Sequence, residues 1–321
     1  MSNTVPTFAK QDGMKFFRTL NSKVNNYFKE NNIEKSGNWK LYLKTIILFS
    51  IFITPYILII TLTNMPFWVF TLLSIVIGIG MAGIGMNVMH DGNHGSYSNK
   101  GWVNKFMGGT IYVLAGNVYN WQVQHNVLHH TYTNIPGHDE DLDAGRIIRF
   151  TKEAKWSSIH KFQHYYSVFL YGLLTFNWAL TTDFKQMSQY LKRKLSYGEP
   201  KSSKFLWTTL VITKLIYFSI WIAVPMIIGV SWWKVLFGFF VMHYTAGLIL
   251  SIVFQLAHVI EETANPLPNE AGEMELQRLQ VHFCNKTSVL HTIDDDEIVT
   301  EGVSDKQCFI DFPKNRFDVC I

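Results

Sequence analysis

Four long apolar stretches dominate the chain, at 45–62, 67–89, 205–230 and 232–257. A helix rises about 1.5 Å per residue, so a run of about 20 residues crosses the roughly 30 Å hydrocarbon layer of a bilayer. All four are long enough to do so, with 45–62 at the short end. The connections TNMP (63–66) and GVSWW (229–233) leave room only for tight turns, so the stretches pair into two helical hairpins. With 48% of its 321 residues apolar and 15% aromatic, the chain reads as an all-α membrane protein.

Charge orients the hairpins. Lys10, Lys15, Arg18, Lys23, Lys29, Lys35 and Lys40 precede the first stretch. Lys100, Lys105, Arg146, Arg149, Lys152, Lys155, Lys192, Arg193 and Lys194 lie between the hairpins, and the two short turns carry no cation. The positive-inside rule then puts both termini and the long middle segment in the cytoplasm. A net charge of +4 fits orientation and attraction to anionic lipid, with no basic-aromatic motif for nucleic acid. The first forty residues are polar and the apolar run after them is long and distant, which argues against a cleavable signal peptide. Cys284, Cys308 and Cys320 all fall in the final forty residues, and a disulfide framework is not expected in a cytoplasmic tail.

Three regions follow. Residues 1–42 form a polar cytoplasmic lead in which Phe16, Phe17, Leu20, Val24 and Phe28 recur at helical spacing, as in an interfacial helix. Residues 43–263 are the membrane domain, and its middle segment has two semi-apolar stretches, 101–121 and 165–180, suited to helices lying in the cytoplasmic interface. Residues 264–321 form a tail without Trp or Tyr, atypical from about Leu276.

The middle segment also carries most of the histidines. His90 and His94, in HDGNH, lie about 6 Å apart along one helix face, close enough for both imidazoles to reach one metal or a close metal pair. A lone pair at that spacing is equally a solvated helix end. His125, His129 and His130, in WQVQHNVLHHTYTN, repeat the four-residue step and add a third imidazole. Five histidines in two clusters outside the same membrane face suit iron, zinc or copper and exceed what one tetrahedral zinc uses. Asp139, Asp141 and Asp143 follow closely and can accept hydrogen bonds from ligand imidazoles, or form a solvated acidic loop. Asp91 and the Glu261–Glu262 pair have the same two readings. His258 ends the fourth span at the depth of the first cluster and is a further candidate ligand. His243, fifteen residues earlier and about 22 Å deeper, suits helix packing or a substrate channel. His138, His160 and His164 read as surface or interfacial residues.

These residues resemble those of the integral-membrane fatty acid desaturases over about residues 15–275. NVMHDGNHGSYS is similar to the first histidine box of that family (HxxxH), and QHNVLHHTYTN followed by DEDLD to the second (HxxxHH), in the form found in front-end and linoleoyl-CoA-type desaturases. The resemblance implies four transmembrane helices in two hairpins, with a cytoplasmic helical cap carrying the boxes. It implies two non-haem iron ions, O2 as co-substrate and a double bond made in a fatty acyl-CoA or acyl-lipid. By position, His90, His94, His125, His129, His130 and His258 are the implied ligands; Asp91, Asp139, Asp141 and Glu262 stay candidates, read from the residues alone, for hydrogen bonds to ligand imidazoles. An unactivated C–H bond offers nothing for a general base to work on, so a metal-based oxidant is the chemistry required. No HPGG haem-binding stretch is present, so electrons are expected from a separate ferredoxin or cytochrome b5-like donor.

The resemblance fails at one place. A third box, QxxHH or HxxHH within a segment like NYQIEHHLFP, is missing; His282 and His291 stand nine residues apart and do not reproduce it. The tail from about Leu276 is therefore expected to be out of frame or replaced, with the second iron poorly held and activity reduced or lost. A histidine-rich diiron hydroxylase and a catalytically inactive desaturase remnant are the other readings.

Overall fold

The structure is a computed structural model that describes residues 6–8, 10–142, 145–259, 265, 267–269, 271–274, 309–311 and 318–320, with backbone alone for 10–17, 257–258, 309–311 and 318–320. It is mostly helical, and among the described residues the strands form only two-stranded pairs. The chain divides into two compact units: residues 36–127 with 161–253, and residues 1–35, 128–160 and 254–321.

The first unit holds the apolar helices. Helix α2 (Trp39–Thr61) starts where Asn38 caps it, its side chain accepting the Lys40 N–H. After a short connection come α3 (Phe67–Ile84), a π-helical turn (Gly85–Met89) and α4 (His90–His94), a continuous run of 28 residues from Phe67 to His94. Helix α11 (Ser203–Phe218) is capped by Ser202, and a second π-helical turn (Ser219–Ala223) leads into α12 (Val224–Ile228), which Gly229 ends at φ +111°. Helix α13 (Trp232–His258) follows. Four helical runs, 39–61, 67–94, 203–228 and 232–256, are long and apolar enough to cross a membrane.

The first run begins six residues before the stretch read from hydropathy and the second ends five residues after it. The added residues are polar or lysine-bearing, WKLYLK at 39–44 and HDGNH at 90–94, so hydropathy leaves them out although the helix continues through them. Lys44, inside α2, has its Nζ donating to Asn87 Oδ1 at 2.9 Å.

Small residues bring these helices together, as packing within a bilayer requires. A Cβ at Gly80 would meet the Phe52 backbone of α2 at 2.9 Å, and one at Gly78 would meet the Met242 carbonyl of α13 at 2.6 Å. A Cβ at Gly238 would meet the Phe70 ring at 2.6 Å. The two short connections lie side by side: the Phe67 ring packs against Trp233 at 5.3 Å, and Lys234 Nζ donates to the Met65 carbonyl at 3.4 Å. Ile77, Met81, Ile84, Met242 and Ala246 form the centre of the core, while Ile46, Ile53, Ile57, Ile212, Leu215 and Ile216 are exposed on the outer faces of α2 and α11. Trp39, Trp68 and Trp232 stand exposed at helix starts, where an amphipathic ring suits the membrane–water boundary.

Between these helical pairs in sequence come α5 (Gly101–Gly108), a 3-10 segment (Gly109–Leu114) and α6 (Val118–Trp121), which continues into a π-helical segment (Gln122–His129) and α7 (His130–Tyr132); from residue 128 the chain belongs to the second unit. Further on lie α8 (Gln163–Gly172), α9 (Leu174–Asn177), a π-helical turn (Trp178–Thr182) and α10 (Asp183–Lys192). Trp102 and Phe106 on α5, and Tyr165 and Phe169 on α8, are exposed.

The second unit contains α1 (Lys10–Glu30) and a short parallel pairing of Thr7–Phe8 with Glu273–Met274. The Phe8 ring stacks on Tyr132 at 6.1 Å.

Candidate metal centre

The first histidine motif is set by three local features. The π-helical turn Gly85–Met89 adds a residue to the helix before His90, a feature that often marks functional positions. Helix α4 then carries His90 and His94 on one face. Gly95, at φ +80°, stops it: the Gly95 N–H donates to the Gly92 carbonyl, and the Ser96 and Tyr97 N–H groups donate to the Asp91 main-chain carbonyl. His90 Nε2 and His94 Nε2 stand 3.2 Å apart, and His94 is buried.

His125 comes from the π-helical segment Gln122–His129 and reaches the same place. One nitrogen from each of His90, His94 and His125 lies within 4.8 Å of the others. The His125 ring centroid is 5.3 Å from His90 and 5.1 Å from His94. Trp121 closes one side, its ring 4.6 Å from His125, 5.6 Å from His94 and 5.8 Å from His90. With metal–nitrogen bonds of about 2.1 Å, two adjacent ligands on one metal sit roughly 3.0–3.4 Å apart. The His90–His94 spacing falls in that range, and an all-imidazole donor set suits iron, zinc or copper. The residues present therefore fit a metal ion.

His129 and His130 belong to the second unit. His129 Nδ1 is 3.0 and 3.1 Å from the two Asp139 carboxylate oxygens, and both residues are 2% exposed. A carboxylate can only accept, so Nδ1 carries the hydrogen and the lone pair is at Nε2. Asp139 is itself held, accepting the Asn134 N–H at 2.9 Å and the Asp141 N–H at 3.0 Å. Asp141 is 3.7 Å from His129 Nδ1, and the His130 ring lies 5.0 Å from that of His129.

Of the other candidates, Asp91 is 3.4 Å from His90 Nδ1, a long contact for a hydrogen bond. His258 ends α13, and its side chain lies outside the described residues, as do Asp143, Glu261, Glu262, His282, His291 and most of the tail from 275. His138 and His160 are half-buried and His164 is exposed. His160 is anchored locally: its Nε2 is 3.0 Å from the Arg146 carbonyl, and its Nδ1 accepts the Ser157 N–H at 3.0 Å. His243 is fully buried, its Nε2 2.8 Å from the Tyr217 hydroxyl and its Nδ1 3.0 Å from Thr175 Oγ1.

Several residues at this site have no sequence signal beyond their neighbourhood. Trp121 precedes His125 by four residues, the same step that relates the histidines, and that spacing is the one clue to its place. Asn93, Gln122 and Asn126 are polar residues between ligand candidates, and each is hydrogen-bonded. A buried ion pair joins Lys214 of α11 to Asp183 of α10 at 2.8 Å, and Asn120 Nδ2 donates to Asp183 Oδ1 at 3.0 Å. Burial raises the Asp183 carboxyl above its ordinary pKa, while Lys214 and Asn120 pull it back. The lysine was hidden inside an apolar stretch, and only a structure shows its partner.

A sequence profile described as fatty acid desaturase matches residues 66–283. An sn-1 linoleoyl-lipid 6-desaturase of Arthrospira platensis is 33% identical over 258 residues, 79% of this chain and 68% of that protein. A protein of the same name from Synechocystis sp. is 31% identical over 81% of this chain and 72% of its own length. An acyl-lipid (8-3)-desaturase of Physcomitrium patens is 26% identical over 84% of this chain and 56% of its own length. No solved structure matches the chain.

Proposed function

Because the chain belongs to the fatty acid desaturase family, we propose that it introduces a double bond into the acyl chain of a membrane lipid at a metal centre held by its histidine motifs. It is an oxidoreductase of the membrane. The observation that carries the reading is the convergence of His90, His94 and His125 on one point. In this reading His90, His94, His125, His129, His130 and His258 hold two non-haem irons. Asp139 orients His129, and Asp91, Asp141 and Glu262 serve in the same way. The names of the Arthrospira platensis and Synechocystis relatives favour an acyl-lipid over an acyl-CoA substrate.

The overall reaction converts –CH2–CH2– to –CH=CH–. O2 takes up the two hydrogens removed, with two further electrons and two protons, and leaves as two waters; a separate ferredoxin or cytochrome b5-like donor supplies those electrons. Bound iron contributes the oxidising power that no side chain has. The chain's own residues have simpler tasks. Asp139 keeps the hydrogen of His129 on Nδ1. Trp121 covers the His90, His94 and His125 rings on one side and limits water there. The exposed aromatic side chains of α5 and α8 offer an apolar approach for an acyl chain. The distribution of lysine and arginine supports both termini and the histidine cap on the cytoplasmic side. Residues 43–263 are the catalytic membrane domain, with 1–42 and 264–321 flanking it.

The test is product analysis on protein in bilayers supplied with ferrous iron, O2, a reduced donor and either acyl-lipid or acyl-CoA. A new alkene supports the desaturase and an alcohol the hydroxylase. No product, with activity regained when a third histidine box is grafted after 276, supports an inactive remnant.

A further inference from the structure

We propose that Asn93 sets the register between the helix of His90 and His94 and the segment that carries His125, and that Asn93, Gln122 and Asn126 are positioning residues for the metal centre. The inference rests on the metal-centre reading given above, and it concerns residues that carry no metal themselves.

Asn93 lies between His90 and His94 on α4 and is 6% exposed. Its amide is fully used. Nδ2 donates to the Met89 carbonyl at 3.1 Å and to the Gly108 carbonyl at 3.0 Å. Oδ1 accepts from Gln122 Nε2 at 3.1 Å. Its main-chain carbonyl accepts from Asn126 Nδ2 at 3.2 Å. One residue thus binds its own preceding turn, the end of α5 and two points on the segment that carries His125.

Those two points straddle the ligand candidate, with Gln122 three residues before His125 and Asn126 one after. A slide or rotation of that segment by one residue breaks both bonds together and leaves two buried acceptors on Asn93 unsatisfied, which an apolar contact would not penalise in this way. The lattice therefore distinguishes one register from its neighbours, as a greasy interface cannot. Glycines make room for it: a Cβ at Gly108 would lie 2.7 Å from Asn93 Oδ1, and one at Gly92 would collide with the Gly108 backbone nitrogen. The backbone approach of α4 to α5 that puts Asn93 within reach of Gly108 needs glycine at both places.

The test uses the full chain in bilayers, with Co(II) as the metal probe. Gln122→Met keeps the length and removes the donor, and Asn126→Ala removes the second bond independently. Tyr56→Phe is the control, since it deletes a hydrogen bond to the Ile220 carbonyl far from the histidines. The affinity of each protein for Co(II), its visible Co(II) spectrum and its metal-free unfolding midpoint are measured. The expected result is about 10-fold weaker Co(II) binding or more in Gln122→Met and Asn126→Ala, with shifted bands, at midpoints no lower than that of Tyr56→Phe. Wild-type affinity and an unchanged spectrum in both variants overturn the inference, and so does a collapse of the metal-free fold, which makes the amides general stability bonds. A wild-type protein that binds no Co(II) defeats the metal-centre reading itself, so the two failures are told apart.

Discussion

The hydrogen bond from His129 Nδ1 to Asp139 leaves Nε2 as the nitrogen that ring can offer to a metal in the proposed centre. Asp139→Asn replaces a pure acceptor by a group that can also donate, and weakens the hold of Asn134 and Asp141 on that side chain. The expected outcome is about 10- to 100-fold weaker metal binding, read by Co(II) titration, with little change in the metal-free fold. At this scale the imidazoles were legible, because histidines repeated at a four-residue step have few structural uses. Their acidic partners were not: Asp139 and Asp141 are chemically alike in sequence, and only burial and distance single out Asp139. Asn93 and Trp121 were silent, since an asparagine or tryptophan at the end of a helix has many ordinary roles.

Helices and turns show a similar division. Hydropathy located all four apolar helices, because a bilayer demands length and apolarity and little else. It missed the π-helical turns at Gly85–Met89 and Gln122–His129, whose backbone bonding depends on packing around them and leaves no periodic trace. It also passed over Lys214, one cation in an apolar run, which the Asp183 carboxylate, Ala115 and Trp178 carbonyls satisfy in the fold. This pair ties α11 to α10 and, through Asn120, to the helical turn before His125. Lys214→Met alone leaves a buried carboxylate without its cation and is expected to cost about 3–5 kcal/mol. The double change Asp183→Leu with Lys214→Met should recover much of that loss in the same unfolding measurement, since an apolar pair of similar volume avoids the desolvation penalty.

For the molecule as a whole, the membrane class and the family were both accessible from the sequence: the first from the length of the apolar runs, the second from motifs too specific to arise from helix packing. The orientation proposed across the bilayer rests on charge alone, and Ser231→Cys in a background free of the three native cysteines tests it. The expected outcome is labelling by a membrane-impermeant maleimide only from the non-cytoplasmic side. The tail beyond about 276 has no Trp or Tyr and no third histidine box, and the histidines before it bear the weight of the functional reading. Metal content tests that reading most directly. Iron per chain is measured on the wild type and on the His90→Ala, His94→Ala, His125→Ala triple variant after identical ferrous loading in bilayers. The account predicts between about one and two irons per wild-type chain and a clear loss in the variant; equal iron in both proteins, or none in the wild type, would contradict it.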